Sequence, residues 1–148
     1  MLARMRPETP ATDSSSPAPI QLAIADQTFV AVDRTVLAEL VADPVGPGQW
    51  WPDLQLQLTR DRGLKGRQWV ITGSSTGSIT GTAEIYLEPW QDGTVIHLFL
   101  RLTLPARAAR RPERVVRART LAWKRTVTSI KDEFEADRRP GTAARSSL

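Results

Sequence analysis

The chain has 148 residues, 41% hydrophobic and 24% charged, with a net charge of +4, which fits one globular domain built on a single core. It contains no cysteine and a single histidine, His97. Disulfides, thiol nucleophiles, thiolate metal sites and multi-histidine zinc centres are thereby excluded, and no metal or cofactor is expected.

Residues 1–19 combine charges, prolines and the run Ser14-Ser15-Ser16 and read as a disordered tail. They hold no continuous apolar segment of the kind a secretory signal needs. No stretch of the chain approaches the ~18–20 apolar residues of a membrane span, so the expected location is the cytoplasm. Residues 138–148 read as a second frayed end, which leaves 20–137 as the folded domain. Ile20, Leu22, Ile24, Thr28, Val30 and Val32 alternate with mostly polar or small residues and predict a long first strand. The interruption at Asp26-Gln27 suggests a bulge or bend. Asp33 stands where a helix N-cap belongs, ahead of the apolar stripe Val36, Leu37, Leu40 and Val41. Pro44, Gly46, Pro47 and Gly48 end that helix. Trp50 and Trp51 follow, and because adjacent indoles diverge, one is expected in the core and the other at a rim.

Leu54, Leu56 and Leu58 alternate strictly with Gln55, Gln57 and Thr59, predicting a strand with one buried and one wet face. Asp61-Arg62-Gly63 turns the chain into a strand around Trp69, Val70 and Ile71, followed by a small-residue segment to Gly81. Thr82 to Thr103 reads as two long strands joined by a tight turn at Asp92-Gly93, residues suited to positive φ. Counting outward from a two-residue turn there sets Glu88 opposite His97, Tyr86 opposite Phe99 and Glu84 opposite Arg101. Leu87 then faces Leu98, Ile85 faces Leu100 and Ala83 faces Leu102. One face of this hairpin is aliphatic throughout, while the other carries an aromatic pair between two charged or hydrogen-bonding pairs. After Pro105 and a basic linker, a helix from about Pro112 presents Val116, Thr120, Trp123, Val127, Ile130 and Phe134 at spacings of three and four.

An antiparallel sheet with one aliphatic face needs a cover, and the long terminal helix is the element able to supply it. The predicted class is α+β: a curved antiparallel sheet of five to seven strands gripping a C-terminal helix. The space between a curved sheet and a straight helix is a common place for a pocket. Trp50, Trp51, Trp69, Trp123 and Val127, with the aliphatic wall Ile85, Leu87, Leu98 and Leu100, are the candidate lining for a flat hydrophobic ligand.

The ordered set of features resembles the START-like (SRPBCC) superfamily, in its bacterial polyketide cyclase/dehydrase and lipid-transport branch. The residues that carry the resemblance are the strand ending Val32-Asp33, the helix Val36 to Asp43 with Gly48-Gln49-Trp50-Trp51-Pro52 after it, the Trp69 strand, and the closing helix. The hairpin Glu84-Ile85-Tyr86-Leu87-Glu88-Pro89 with Asp92-Gly93-Thr94 completes them. The resemblance implies a helix-grip fold over about Ile20 to Glu135, enclosing a cavity for a lipid-like or polyketide-like molecule. The chain departs from the family in having fewer clear strands and a short middle segment, so the implied cavity is smaller or more open.

His97 is the one ready proton shuttle near neutrality, and the expected register places it by Glu88, with Glu84 and Arg101 on the same face. These three, His97, Arg101 and Glu84, are the minority candidates for catalysis. Ile85, Leu87, Leu98, Leu100 and Leu102 cannot all face water, however, so the His97 side is expected to be the outer one. Binding without catalysis is the leading expectation. An aromatase/cyclase is the alternative, drawing on Arg67, Glu84, His97, Arg101 or Arg119 as polar groups. No nucleophile elbow, dinucleotide fingerprint or phosphate loop appears, since Gly73, Gly77 and Gly81 lack a Lys-Ser/Thr ending. Between Arg107 and Arg125, eight basic residues meet only Glu113. A solvated helix face explains them most simply, with an interaction module for RNA or an acidic protein as a further alternative. Aromatics do not interleave with these arginines, so nucleic acid is not the expected partner. The expected partner is a small hydrophobic ligand, and the expected state a monomer or homodimer.

Overall fold

The computed structural model describes residues 18–75, 77–108 and 110–136. Apart from Ala18 and Pro19, the two expected tails lie outside them. Five strands form one antiparallel sheet in the order β1-β5-β4-β3-β2. They are β1 (Ile20–Val30), β2 (Leu54–Asp61), β3 (Gly66–Ser74), β4 (Thr80–Trp90) and β5 (Gly93–Leu104). Helices α1 (Arg34–Ala42) and α2 (Val45–Trp50) join β1 to β2, and α3 (Pro112–Glu135) follows β5. The expected α+β class, a curved antiparallel sheet with a long terminal helix, is therefore present.

Period-two burial along β5 makes the two faces explicit. Thr94, Ile96, Leu98, Leu100, Leu102 and Leu104 are buried, while the residues between them are partly or fully exposed. Ala83, Ile85 and Leu87 of β4 and Ile24 and Val30 of β1 join the same inner face. Each fully buried aliphatic side chain there stabilises the fold by about 1.5–3 kcal/mol. Thr94 is the one buried polar residue among those described, and its hydroxyl donates to the Val32 carbonyl at 2.9 Å.

The hairpin register differs from the expected one by two residues. The closing pair is Trp90 with Gly93, so Gln91 and Asp92 are the central turn residues and Gln91 takes the positive φ, 49°. Glu88 therefore faces Val95, Tyr86 faces His97 and Glu84 faces Phe99. Gly93 serves close approach rather than the turn: a Cβ there would lie 2.5 Å from the Val30 carbonyl oxygen and 2.6 Å from the Phe29 ring. A shift of two preserves the faces, so the aliphatic wall survives the correction.

β1 pairs with β5 in unbroken register, without the expected bulge at Asp26-Gln27. Asp26 is an inward-facing residue with partners on α3, so its polarity marks a contact, not a break. Register shifts occur instead between β2 and β3, where Thr72 and Thr59 lack strand partners. Their hydroxyls donate across the ladder to the carbonyls of Gln55 and Gln68, respectively. Asp33 caps α1 as expected, accepting the Thr35 amide at 2.8 Å. The segment Val45–Trp50, expected as a helix terminator, is a short helix of its own. Pro47 falls in its first turn, where the missing N–H removes no intrahelical bond.

Candidate functional site

The inner face is covered by two sets of helices. α3 lies over β1, and α1 lies over β3 and β4. Where the two sets meet, four indoles form one cluster. Trp51 stacks on Trp123 with centroids 6.0 Å apart and planes at 19°. Trp50 meets both edge-on, and Trp51 meets Trp69 edge-on at 6.2 Å. Trp51, Trp69 and Trp123 are buried, while Trp50 keeps partial exposure, which is the divergence expected of neighbouring tryptophans. Aromatic pairs of this kind contribute about 0.5–1.5 kcal/mol each beyond area burial.

Polar contacts hold α3 in place around the cluster. Trp123 donates its indole N–H to Asp26 at 3.0 Å, and Lys124 pairs with the other carboxylate oxygen of Asp26. Arg119 grips Asp53 through two hydrogen bonds, 2.8 and 2.5 Å. At the far end, Lys131 donates to the Phe29 carbonyl and Glu135 accepts the Ala31 amide. Arg119 holds the Asp53 carboxyl below its ordinary range against the opposing effect of burial. For Asp26, burial pushes the carboxyl up, and hydrogen bonds from Lys124, Trp123 and Thr28 together outweigh it and lower it.

Beside this cluster a cleft of about 330 Å³ opens between the α1–α2 corner and β2. Val41, Pro44 and Pro47 form its helical side, Leu54, Leu56 and Leu58 its strand side, and Trp69 with Arg67 its floor. The bulge at Thr59 has a direct consequence here. Strict alternation would turn Arg60 inward, whereas the extra residue sets Asp61 opposite Arg67, and the two pair at 2.8 Å. Arg67 also donates to the Ala42 carbonyl at 3.3 Å, tying β3 to the end of α1. β2 is an edge strand, so its leucine row is only partly covered. Leu54 is buried, Leu56 is half-buried, and Leu58 is 44% exposed. The expected buried face of this strand therefore fails at Leu58.

Three solved structures share this fold over most of the chain. A Deinococcus radiodurans protein superposes with a TM-score of 0.54 at 14% identity, over 78% of this chain and 98% of its own. The Aha1 dimer of Colwellia psychrerythraea gives 0.54 at 13% identity, over 80% and 99%. A polyketide-cyclase-like protein of Corynebacterium glutamicum gives 0.51 at 15% identity, over 84% and 99%. The chain has the helix-grip fold of these structures. No protein-family model and no curated protein matches it in sequence.

Within the helix-grip frame, Ile85, Leu87, Leu98 and Leu100 form the buried inner wall, and Trp123 and Val127 face it from α3. The structure thus gathers the candidate ligand-lining residues in one core, with Trp69 the member that also reaches the cleft. His97, Glu84 and Arg101 lie on the other face. His97 Nε2 is 2.8 Å from Glu88, a diagonal contact, and its ring lies between Tyr86 and Phe99, with centroids 5.6 and 6.2 Å away. The expected Glu84–Arg101 pair is absent. The register sets Thr82 opposite Arg101, and Glu84 binds Arg62 at 3.0 Å instead. The three catalytic candidates are therefore not brought together by hydrogen bonds, and the helices lie across the sheet from them. Among the described residues no group of acids and histidine could hold a metal ion, and no helix is long and apolar enough to cross a membrane. Sequence reasoning missed the cleft itself, whose signal was the leucine alternation placed directly after the Pro44–Pro52 breakers.

Proposed function

We propose that the protein binds a small hydrophobic molecule, lipid-like or polyketide-like, between the inner face of the sheet and its helical cover, and that the molecule enters through the cleft over Trp69. The observation that carries this reading is the cleft: an apolar groove of about 330 Å³, in the size range of ligand sites, with an indole floor continuous with the aromatic cluster. Leu54, Leu56 and Leu58 supply apolar contact along its strand side, and Arg67 a polar group beside Trp69 on the floor. Binding is favoured over ring closure because His97 and Arg101 stand on the opposite face of the sheet from this groove.

Organic extraction of the natively purified protein followed by mass spectrometry should release a hydrophobic molecule. The stripped protein should bind a naphthalene-type dye with saturable quenching of tryptophan emission. Leu56→Arg, which places a charge in the groove, should abolish that quenching while the circular dichroism melt persists. Finding neither an extracted molecule nor saturable quenching overturns the reading. Cyclisation of a linear polyketide thioester that is lost in His97→Gln and Arg101→Gln would replace it with the aromatase/cyclase alternative.

A further inference from the structure

The arginines between the end of β5 and the middle of α3 contribute to neither face of the sheet. Arg107, Arg110, Arg111, Arg114, Arg117 and Arg125 are all exposed, and none of their side chains has an ion pair or hydrogen bond with another described residue. Their neighbours differ: Arg119 and Lys124 turn toward the sheet and are neutralised by Asp53 and Asp26. The inward cations of α3 are thus paired, and the outward ones are free. Arg114, Arg117, Leu121 and Arg125 follow at spacings of three and four, along one stripe of α3. That stripe lies opposite the buried Trp123, Val127 and Ile130, and Leu121 at its centre is 51% exposed.

Helix stability does not account for these positions. Arg110, Arg111 and Arg114 cluster at the positive end of the α3 dipole, where cations are unfavourable, and no side chain caps that end. We propose that this face docks the protein on an anionic phospholipid surface. Free guanidinium groups spread over one face match a plane of negative headgroups, and an exposed leucine among them suits the apolar boundary just below. The residues exposed between Arg107 and Arg125 include no aromatic ring and no side-chain amide, so the face lacks the stacking and base-reading groups of a nucleic-acid site.

The test is co-sedimentation of the full chain with vesicles of phosphatidylcholine alone and with about three parts in ten of phosphatidylserine. Sedimentation should require phosphatidylserine and weaken as salt is raised. Arg114→Gln with Arg117→Gln should lower partitioning roughly 25-fold, at about fivefold per arginine, while Tm stays the same or rises. Arg110→Gln with Arg111→Gln, outside the helix, should act in the same direction. Leu121→Ser should reduce partitioning severalfold without changing its salt dependence. No phosphatidylserine-dependent sedimentation, or equal sedimentation by both double variants, overturns the proposal. So does tighter binding at the same salt to a single-stranded RNA oligonucleotide, lost in the same variants, because the face then belongs to nucleic acid.

Discussion

The two halves of the sheet's inner face are covered by different means. Over β1, α3 sets Trp123, Val127 and Ile130 into the core and is fastened by charged contacts at Asp26, Asp53, Phe29 and Ala31. Over β3 and β4 the cover is the short α1–α2 corner, and the sheet ends in an edge strand, β2, on which Leu56 and Leu58 remain partly or fully exposed. The first half is closed by packing and held by polar contacts from Arg119 to Glu135 along α3. The second half ends in a groove. A fold of this kind can keep a rigid wall and an open groove at once, because the two fall on different strands. On that division, substitutions in the closed half should act on stability, and those in the open half on binding.

The largest effect is expected at Trp123, where the closed half is anchored. Trp123→Ala removes an indole that touches Trp50 and Trp51 and donates to Asp26. It should cost about 3–5 kcal/mol in urea unfolding. Trp123→Phe keeps most of the volume and loses the indole donor, so about 1 kcal/mol is expected. A loss below about 1 kcal/mol in the alanine variant would mean that the cluster is loose and the halves are not distinct.

The polar fastening predicts a pH dependence of defined sign. Asp53 is held below its ordinary range by Arg119, so its stabilising contribution is fully present above about pH 4, its ordinary value. That contribution is lost as pH falls through the lowered folded value. Asp53→Asn should therefore cost about 1–2 kcal/mol at neutral pH and flatten the acid limb of Tm against pH. An acid limb as steep as in the parent would assign the acid sensitivity to other carboxylates, Asp26 first among them.

The closed half was legible in the sequence and the open half much less so, for a physical reason. Period-two alternation in β5 and period 3.6 in α3 reflect burial on a regular lattice, so Leu98, Leu100, Trp123 and Val127 announce their partners. The expected hairpin register is off by two because Asp92-Gly93 looks like a turn, whereas Gly93 answers to the crossing of Phe29 and Val30, distant in sequence. A two-residue error leaves the faces intact and changes only the cross-strand partners, which is why Glu84 was matched to Arg101 and found with Arg62. The floor of the cleft depends on the bulge at Thr59, and its opening on the edge position of β2, neither of which has a periodic signature. Asp26 reads as an interruption in a strand until α3 supplies Trp123 and Lys124.

The smallest expected effect on stability is also the sharpest probe of the comparison. Leu58 sits on the rim of the cleft, 44% exposed and opposite Trp69 across the bulged ladder. Leu58→Ser removes little buried area, so thermal unfolding should shift by no more than about 0.5 kcal/mol. Dye binding followed by tryptophan quenching should nevertheless weaken severalfold, because the side chain supplies apolar contact at the mouth of the groove. Leu98→Ala should do the reverse, costing about 2–5 kcal/mol in stability while the remaining folded fraction binds dye with nearly parental affinity. If Leu58→Ser leaves dye binding untouched and Leu98→Ala abolishes it, the ligand seat lies in the closed half and the cleft is only surface relief.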